Sequence, residues 1–261
     1  MAQVNVVATT LPTVDSWQVL SMRLTAFPAE AIKTEGQSWW PDLVGYDPET
    51  VVSRPKAGQY RAEGEFEGRQ LLLSVRADRI DWNLAAIGKA PEEESATLPL
   101  SGSFPEVLGS FIKIANPWLA VSTPITRLAF GGVLVQPIEN RRSGYVRIGG
   151  YLPSVALDPD GSSDFLYQIN RPRPSKTGIE SLHINRLTKW SVLLFHRFSV
   201  ALQKTAITTV GLGSGDSACR LEVDINTAPD FEGVLPAEKL PDILQELVDL
   251  AREIATKGDI P

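Results

Sequence analysis

Three segments in the second half of the chain alternate apolar and polar residues: 164–170, 181–187 and 219–226. Side chains on a strand point to opposite faces with a period of two, so each segment predicts a strand with one apolar and one polar face. If the three strands are neighbours, one face of their sheet is apolar. The other face then carries amides, a histidine, carboxylates and arginines, and we expect recognition to occur there.

The rest of the chain supplies more strands than helices. Segments 60–66, 70–76 and 78–86 have the composition of strands, and a turn between the first two predicts a hairpin. Segments 127–135 and 144–151 are predicted as two further strands on either side of a polar turn.

Two amphipathic helices are predicted, at 103–115 and 236–255, because their apolar residues recur at helical spacing. Ser103 and Glu106 have the spacing of a capping box, which predicts the start of the first helix. Pro117 predicts its end, since proline disfavours a helical conformation in the residue before it.

Runs of strands with few helices favour an α+β fold over repeated βαβ units. We expect a large, mostly antiparallel sheet with two or more helices packed on its apolar face. Segment 188–202 fits either a helix or a long buried strand. Residues 1–261 are predicted to form one domain, either as one lobe or as two sub-lobes that meet near the acidic segment 89–99.

Composition narrows the class of protein. Hydrophobic residues make up 43% of the 261 residues, which supports a packed core. The net charge of −6 disfavours nonspecific binding to nucleic acid or to an anionic membrane. The one cysteine cannot form an internal disulfide, and the first twenty residues lack the pattern of a signal peptide. We therefore expect a cytoplasmic protein that does not associate with a membrane.

A local excess of basic residues, the basic island, lies within 165–200 of this acidic chain. It contains both histidines, and it has one acidic residue, Glu180, against six basic residues. The basic residues are Arg171, Arg173, Lys176, Arg186, Lys189 and Arg197. An open island would bind a nucleotide, nucleic acid or another anion, because the planar guanidinium binds phosphate and carboxylate with two hydrogen bonds. Alternatively, the acids of 216–261 neutralise it by pairing across the sheet.

Glu222 and Asp224 lie two residues apart on one predicted strand face. Together with His183 or Asn185 they could hold a metal ion or divide acid and base roles, which would suit a metal-dependent phosphoesterase or nuclease. The alternative is that Arg171 or Arg186 neutralises the pair. Cys219 is placed on the same polar face, where it is either an activated thiol or an inert packed side chain.

Two adjacent tryptophans and a glycine-rich segment are further candidates for a functional role. Trp39 and Trp40 precede a proline and form either a partner-binding knob or the cap of one end of the core. The glycines of 211–215 lack the spacing of a dinucleotide fingerprint or a phosphate loop, so no cofactor is expected.

The segments 167–172, 184–190 and 219–226, which repeat Ile-Asn-Arg and end in Ile-Asn, resemble an uncharacterised, sporadically distributed bacterial protein family. The resemblance covers mainly the last hundred residues and implies only a bacterial, cytoplasmic protein, because that family brings no activity or site residues.

The residues themselves favour a non-catalytic binding or assembly protein that meets a protein partner, or a second copy of itself, through the polar sheet face. The candidate binding residues are Trp39, Trp40, Asn170, Arg171, Arg173, His183, Asn185, Arg186, Lys189, Glu222 and Asp224. The alternatives are the metal-dependent enzyme and a protein that binds a nucleotide or nucleic acid through the basic island.

Overall fold

The fold is α+β, with helices packed on one face of a ten-stranded antiparallel sheet. The structure is a computed structural model that describes residues 11–32, 38–87, 98–194, 197–203, 206–213 and 217–261. Within 195–216 it describes only the backbone of two strands.

The strands that form this main sheet are β1 (Gln18–Pro28), β2 (Thr50–Arg54), β3 (Gln59–Phe66), β4 (Arg69–Arg76), β5 (Arg79–Ala85), β6 (Ile125–Ile138), β7 (Leu166–Asn170), β8 (Arg173–Pro174), β9 (His183–Leu194) and β12 (Ser217–Thr227). Their order in space is β2-β3-β4-β5-β1-β6-β12-β9-β7, and β8 pairs with β9. A separate pair is formed by β10 (Arg197–Gln203) and β11 (Ala206–Gly213).

Four α-helices are described: α1 (Trp39–Val44), α2 (Phe104–Val121), α3 (Arg141–Tyr151) and α4 (Leu240–Lys257). The last three pack against the main sheet, with α2 on β1, α4 on β6 and β12, and α3 on β9 and β12. Apolar side chains of alternate strand positions meet the helices there and form one continuous core. None of the helices in the described part of the chain is long and apolar enough to cross a membrane.

Segment 144–151, predicted as a strand, is helical and belongs to α3. The reason lies just before it, where the Asn140 and Ser143 side chains each accept a hydrogen bond from the other's backbone N–H and form a capping box. These bonds satisfy backbone N–H groups at the start of the helix. The apolar pattern of the segment alone did not reveal this start.

The predicted start of α2 is correct to within one residue, but the reason given for it is wrong, and the predicted end is wrong as well. Ser103 precedes the helix but its side chain does not cap it, and Glu106 instead forms an ion pair with Arg69 of β4. The helix also continues past Pro117 to Val121. Proline removes one hydrogen bond from the helix, but Trp118 beyond it is fully buried and holds the last turn against the core.

The described parts of the ambiguous segment 188–202 are extended, since β9 runs to Leu194 and β10 begins at Arg197. β9 pairs along its length with β12, which fixes it as a strand. Most of the predicted sub-lobe boundary at 89–99 lies outside the described residues. The main sheet continues across it, because β1 pairs with β5 before the boundary and with β6 after it.

Candidate functional site

The side of the main sheet opposite the helices, here called the open face, presents the polar positions of the predicted strands. β9 lies between β7 and β12, and both of its pairings with them are antiparallel. Lys189 lies opposite both Gln168 and Glu222, and Leu187 lies opposite both Asn170 and Asp224. These residues share one face because directly opposite residues of neighbouring strands point the same way.

A ladder of side-chain amides crosses these three strands. Asn170 Nδ2 donates to Asn185 Oδ1 at 2.9 Å, and Asn185 Nδ2 donates to Asn226 Oδ1 at 3.2 Å. Asn226 Nδ2 then donates to Asp224 Oδ1 at 2.8 Å. Each amide is thereby held in one orientation, and each NH₂ group keeps a second hydrogen for another acceptor. The ladder is a preordered array of donors and acceptors.

The ladder ends at an ion pair that joins the two halves of the sheet. Arg23 Nη2 of β1 lies 3.6 Å from Asp224 Oδ2 of β12, and their side chains are each 38% exposed. Gly131 of β6 lies between them, opposite Arg23 on one side and Asp224 on the other. Because glycine has no side chain, the two charged groups reach each other across the intervening strand.

A depression of about 310 Å³ surrounds this glycine, and we call it the central site. Its lining combines both signs of charge with small polar groups and includes Ser21, Arg23, Asn83, Gly131, Gln168, Lys189, Glu222 and Asp224. Glu222 lies 2.8 Å from Arg220 Nη2 and 3.4 Å from Lys189 Nζ. The carboxylates are therefore balanced by cations, and the central site does not favour a strongly charged ligand of either sign.

Three arginines of the predicted site do not lie on the open face. Arg186 is only 2% exposed and shares the inner face of β9 with Ile184. The physical reason is parity, since Arg186 is an even number of residues from Ile184. Arg173 lies opposite Ile184, so its side chain points to the same inner face. Arg171 forms an ion pair with Asp259, near the end of the described chain.

These arginines hold the segment 258–261 against the sheet, an arrangement we call the C-terminal clasp. Arg186 Nη2 donates to the Ile260 carbonyl at 3.0 Å, and Arg173 Nη2 donates to the Pro261 oxygen at 2.9 Å. Arg173 Nη1 also lies 3.3 Å from Glu253 Oε2 of α4. Arg171 and Arg173 are therefore paired with acids of 216–261, but Asp259 and Glu253 come from α4 and the segment after it. The prediction that these acids reach the arginines by pairing across the sheet is wrong for these two arginines.

Electrostatics within the C-terminal clasp follow from this pairing. Hydrogen bonds from Arg171 hold the pKa of the Asp259 carboxyl below its ordinary value, against the opposing effect of burial. Tyr167 Oη donates a third bond to this carboxylate at 2.8 Å. Burial lowers the pKa of the Arg186 guanidinium, whose Nε and Nη1 have no hydrogen-bond partner among the described residues.

The proposed metal ligands are not brought together. His183 is exposed, and its Nδ1 lies 3.0 Å from the Ser181 carbonyl. It lies six residues along β9 from Lys189, the residue opposite Glu222, which is about 20 Å at the rise of a strand. Within the described residues, no group of three or more histidine, cysteine, aspartate or glutamate side chains is placed to hold a metal ion.

The two adjacent tryptophans belong to the core. Trp40 is fully buried and stacks on Trp82 with ring centroids 6.2 Å apart. Trp39 is partly buried and meets Trp118 edge to face at 5.9 Å. The knob prediction is therefore wrong for Trp40, and the alternative that the pair caps one end of the core describes both residues.

Cys219 was placed on the wrong face. It shares the buried parity of Leu221, and its Sγ donates to the Gly144 carbonyl of α3 at 3.4 Å. Burial raises the pKa of the thiol to about 12, so the thiol is not activated.

Sequence reasoning missed Arg23, Asn83 and Gly131, which come from strands far from the three alternating segments. The available signal was Gly131-Gly132 inside a predicted strand, since glycine in a strand interior marks a close approach or a place for another group. Two residues of the predicted basic island, His196 and Arg197, have side chains outside the described part of the structure. Of the glycine-containing segment 211–215, residues 214 and 215 lie outside it as well.

No protein-family model matches the chain, and no curated protein matches it. The resemblance to a bacterial family therefore stays a prediction.

Proposed function

We propose that this is a non-catalytic binding protein that recognises a protein partner through the open face of the main sheet. The observation that carries the proposal is the amide ladder of Asn170, Asn185 and Asn226, which ends at Asp224 beside the central site. Groups that are already oriented lose less conformational entropy when a partner binds, so preordering favours recognition.

The charges of the central site favour a partner segment that is itself mixed in sign. Arg23 and Lys189 lie close to Asp224 and Glu222, so a polyanion such as nucleic acid would meet as many acids as bases there. Arg23 Nε is buried and lacks a hydrogen-bond partner among the described residues, so an extended peptide could offer it a carbonyl. Glu222 Oε1 already lies 2.8 Å from Arg220 Nη2 and 3.4 Å from Lys189 Nζ.

A displayed library of random linear peptides tests this proposal. Selection on the full chain should enrich peptides that bind at least about tenfold more weakly to Gly131→Arg, because the new side chain fills the depression. Gly109→Arg is the matched control, since Gly109 is an exposed glycine of α2 on the helix side with open space around it. Lys189→Glu, a change of an existing polar side chain, is a second test that does not add bulk.

Two results would overturn the proposal. One is a selection that enriches no peptide, and the other is a set of peptides that binds wild type, Gly131→Arg and Lys189→Glu equally. Circular dichroism of each variant establishes that the fold is retained before binding is compared.

A further inference from the structure

β2 forms one edge of the main sheet, and nothing in the described part of the chain pairs with its outer side. All five residues of β2 are exposed, including Val51 at 51% and Val52 at 41%. The strand contains no proline or lysine, and its pairing with β3 is free of bulges. Proline, lysine and bulges are among the features that keep natural edge strands from pairing with another chain, so among the described residues this edge has room for a further strand.

The charges around β2 specify which strand fits. Asp47 and Glu49 precede the strand, while Arg54 ends it and Lys56 follows. An identical strand placed antiparallel to β2 brings the acidic end of each copy to the basic end of the other. A parallel arrangement would bring like charges together, which is unfavourable.

The open face adds a second complementarity. Thr50, Val52 and Arg54 lie opposite Glu63, Arg61 and Gln59 of β3, so they point to that face. If Val52 lies opposite its own counterpart, all five residues of β2 are paired. Arg54 of one copy then lies opposite Thr50 of the second copy. Because Thr50 lies opposite Glu63 of β3, Arg54 of the first copy and Glu63 of the second copy belong to the same row of side chains across the joined sheet.

We propose that two copies of this chain associate through β2, antiparallel and centred on Val52, so that their main sheets join into one. The contact removes the exposed valines of both copies from water and satisfies the outward backbone groups of both edges. A five-residue strand buries little area, so the dimer is weak and concentration-dependent. This inference does not depend on the open-face proposal.

Sedimentation velocity of the full chain over a concentration series tests the dimer. The weight-average mass of the wild type should rise from 28.5 kDa toward twice that value. Val52→Lys should dimerise at least about tenfold more weakly, because two ammonium groups then meet at the two-fold axis. Val146→Lys is the matched control, since Val146 is an exposed valine of α3 at 42% exposure, away from the edge.

A charge swap tests the register independently. Arg54→Glu and Glu63→Arg should each weaken dimerisation alone, because each places like charges in the shared row. An equal mixture of the two variants should recover a mixed dimer, since both rows then hold opposite charges.

A wild type that stays monomeric at every concentration would overturn the proposal, as would a Val52→Lys variant that dimerises like Val146→Lys. A mixture that does not recover association would overturn the antiparallel register. Gly131→Arg, which alters the open face, should dimerise like wild type, so failure of one proposal is distinguishable from failure of the other.

Discussion

Arg171 donates two hydrogen bonds to the carboxylate of Asp259, from Nε at 2.5 Å and from Nη2 at 2.8 Å. The Asp259 side chain is 3% exposed and that of Arg171 is 27% exposed. The pair ties β7 to the segment that follows α4. It also explains why an arginine predicted to bind a partner serves instead to hold the chain together.

Arg171→Ala is expected to lower the free energy of unfolding by about 2 to 3 kcal/mol, because it leaves a buried carboxylate without its cation. Arg142→Ala is the control, since its ion pair with Asp160 is exposed at both partners and should contribute less than about 1 kcal/mol. Urea unfolding followed by tryptophan fluorescence measures both. Equal losses in the two variants would contradict the buried role of Asp259.

The C-terminal clasp also predicts a pH dependence. The folded-state pKa of Asp259 lies below its ordinary value of 3.8, so below that value the unfolded chain takes up the proton more readily than the folded chain. Its contribution to stability is therefore complete above the ordinary value and is lost as the pH falls through the folded pKa. The stability difference between wild type and Asp259→Asn should be largest near neutral pH and should shrink on acidification below about pH 4.

Unfolding measured at a series of pH values checks this expectation. A difference between wild type and Asp259→Asn that grows on acidification would mean that the Asp259 carboxylate is not stabilised by Arg171 in the folded state.

Alternation along single strands was enough to predict much of the open face. Asn170, Asn185, Glu222 and Asp224 emerge together because a two-residue period fixes the face of each side chain, whatever the fold. The same two-residue period places the Arg186 side chain on the inner face. Its charge suggested an exposed site, but its parity with Ile184 placed it among buried residues, and parity determined its position.

The central site could not be predicted in this way. Arg23 meets Asp224 only because β1 and β12 both pair with β6, a relationship between strands distant in sequence. The same limit applies to α3, whose helical start depends on the Asn140–Ser143 capping box rather than on the apolar pattern of its residues.

Trp40→Ala is expected to act on stability rather than on recognition. Removing a fully buried tryptophan leaves a cavity beside Trp82 and should cost about 3 to 5 kcal/mol of unfolding free energy. Trp39→Ala should cost less, because Trp39 is only partly buried. A Trp40→Ala variant that keeps wild-type stability in urea would contradict its place in the core.

The Cys219 thiol is expected to be inert in the folded protein. With a pKa of about 12, about one thiol in ten thousand is ionised at pH 8, and the thiolate is the reactive form. A colorimetric thiol reagent should react at least about a hundredfold faster in urea than in buffer. The control is the double variant Cys219→Ser with Ser163→Cys, which moves the one thiol to an exposed position. Its thiol should react quickly in the folded protein. Rapid reaction of native Cys219 would contradict its burial beneath α3.

α3 approaches the sheet closely at Gly144, and a substitution there tests this contact. A Cβ atom at Gly144 would lie 2.4 Å from Ile138 Cδ1 and 3.0 Å from both γ carbons of Val192. Gly144→Ala should therefore cost about 1 to 3 kcal/mol, because Val192 is a stiff strand residue that cannot move aside freely. Gly149→Ala in the same helix meets no atom within 4 Å and should be neutral or stabilising by up to about 1 kcal/mol.

Urea unfolding distinguishes these two alanine variants because they share a helix, a substitution and a change in helix propensity. Their difference in unfolding free energy therefore measures the contacts of α3 with Ile138 of β6 and Val192 of β9. If Gly144→Ala is as stable as Gly149→Ala, α3 does not pack on Val192 as described. In that case the burial of Cys219, which donates to the Gly144 carbonyl, would have to be reconsidered with it.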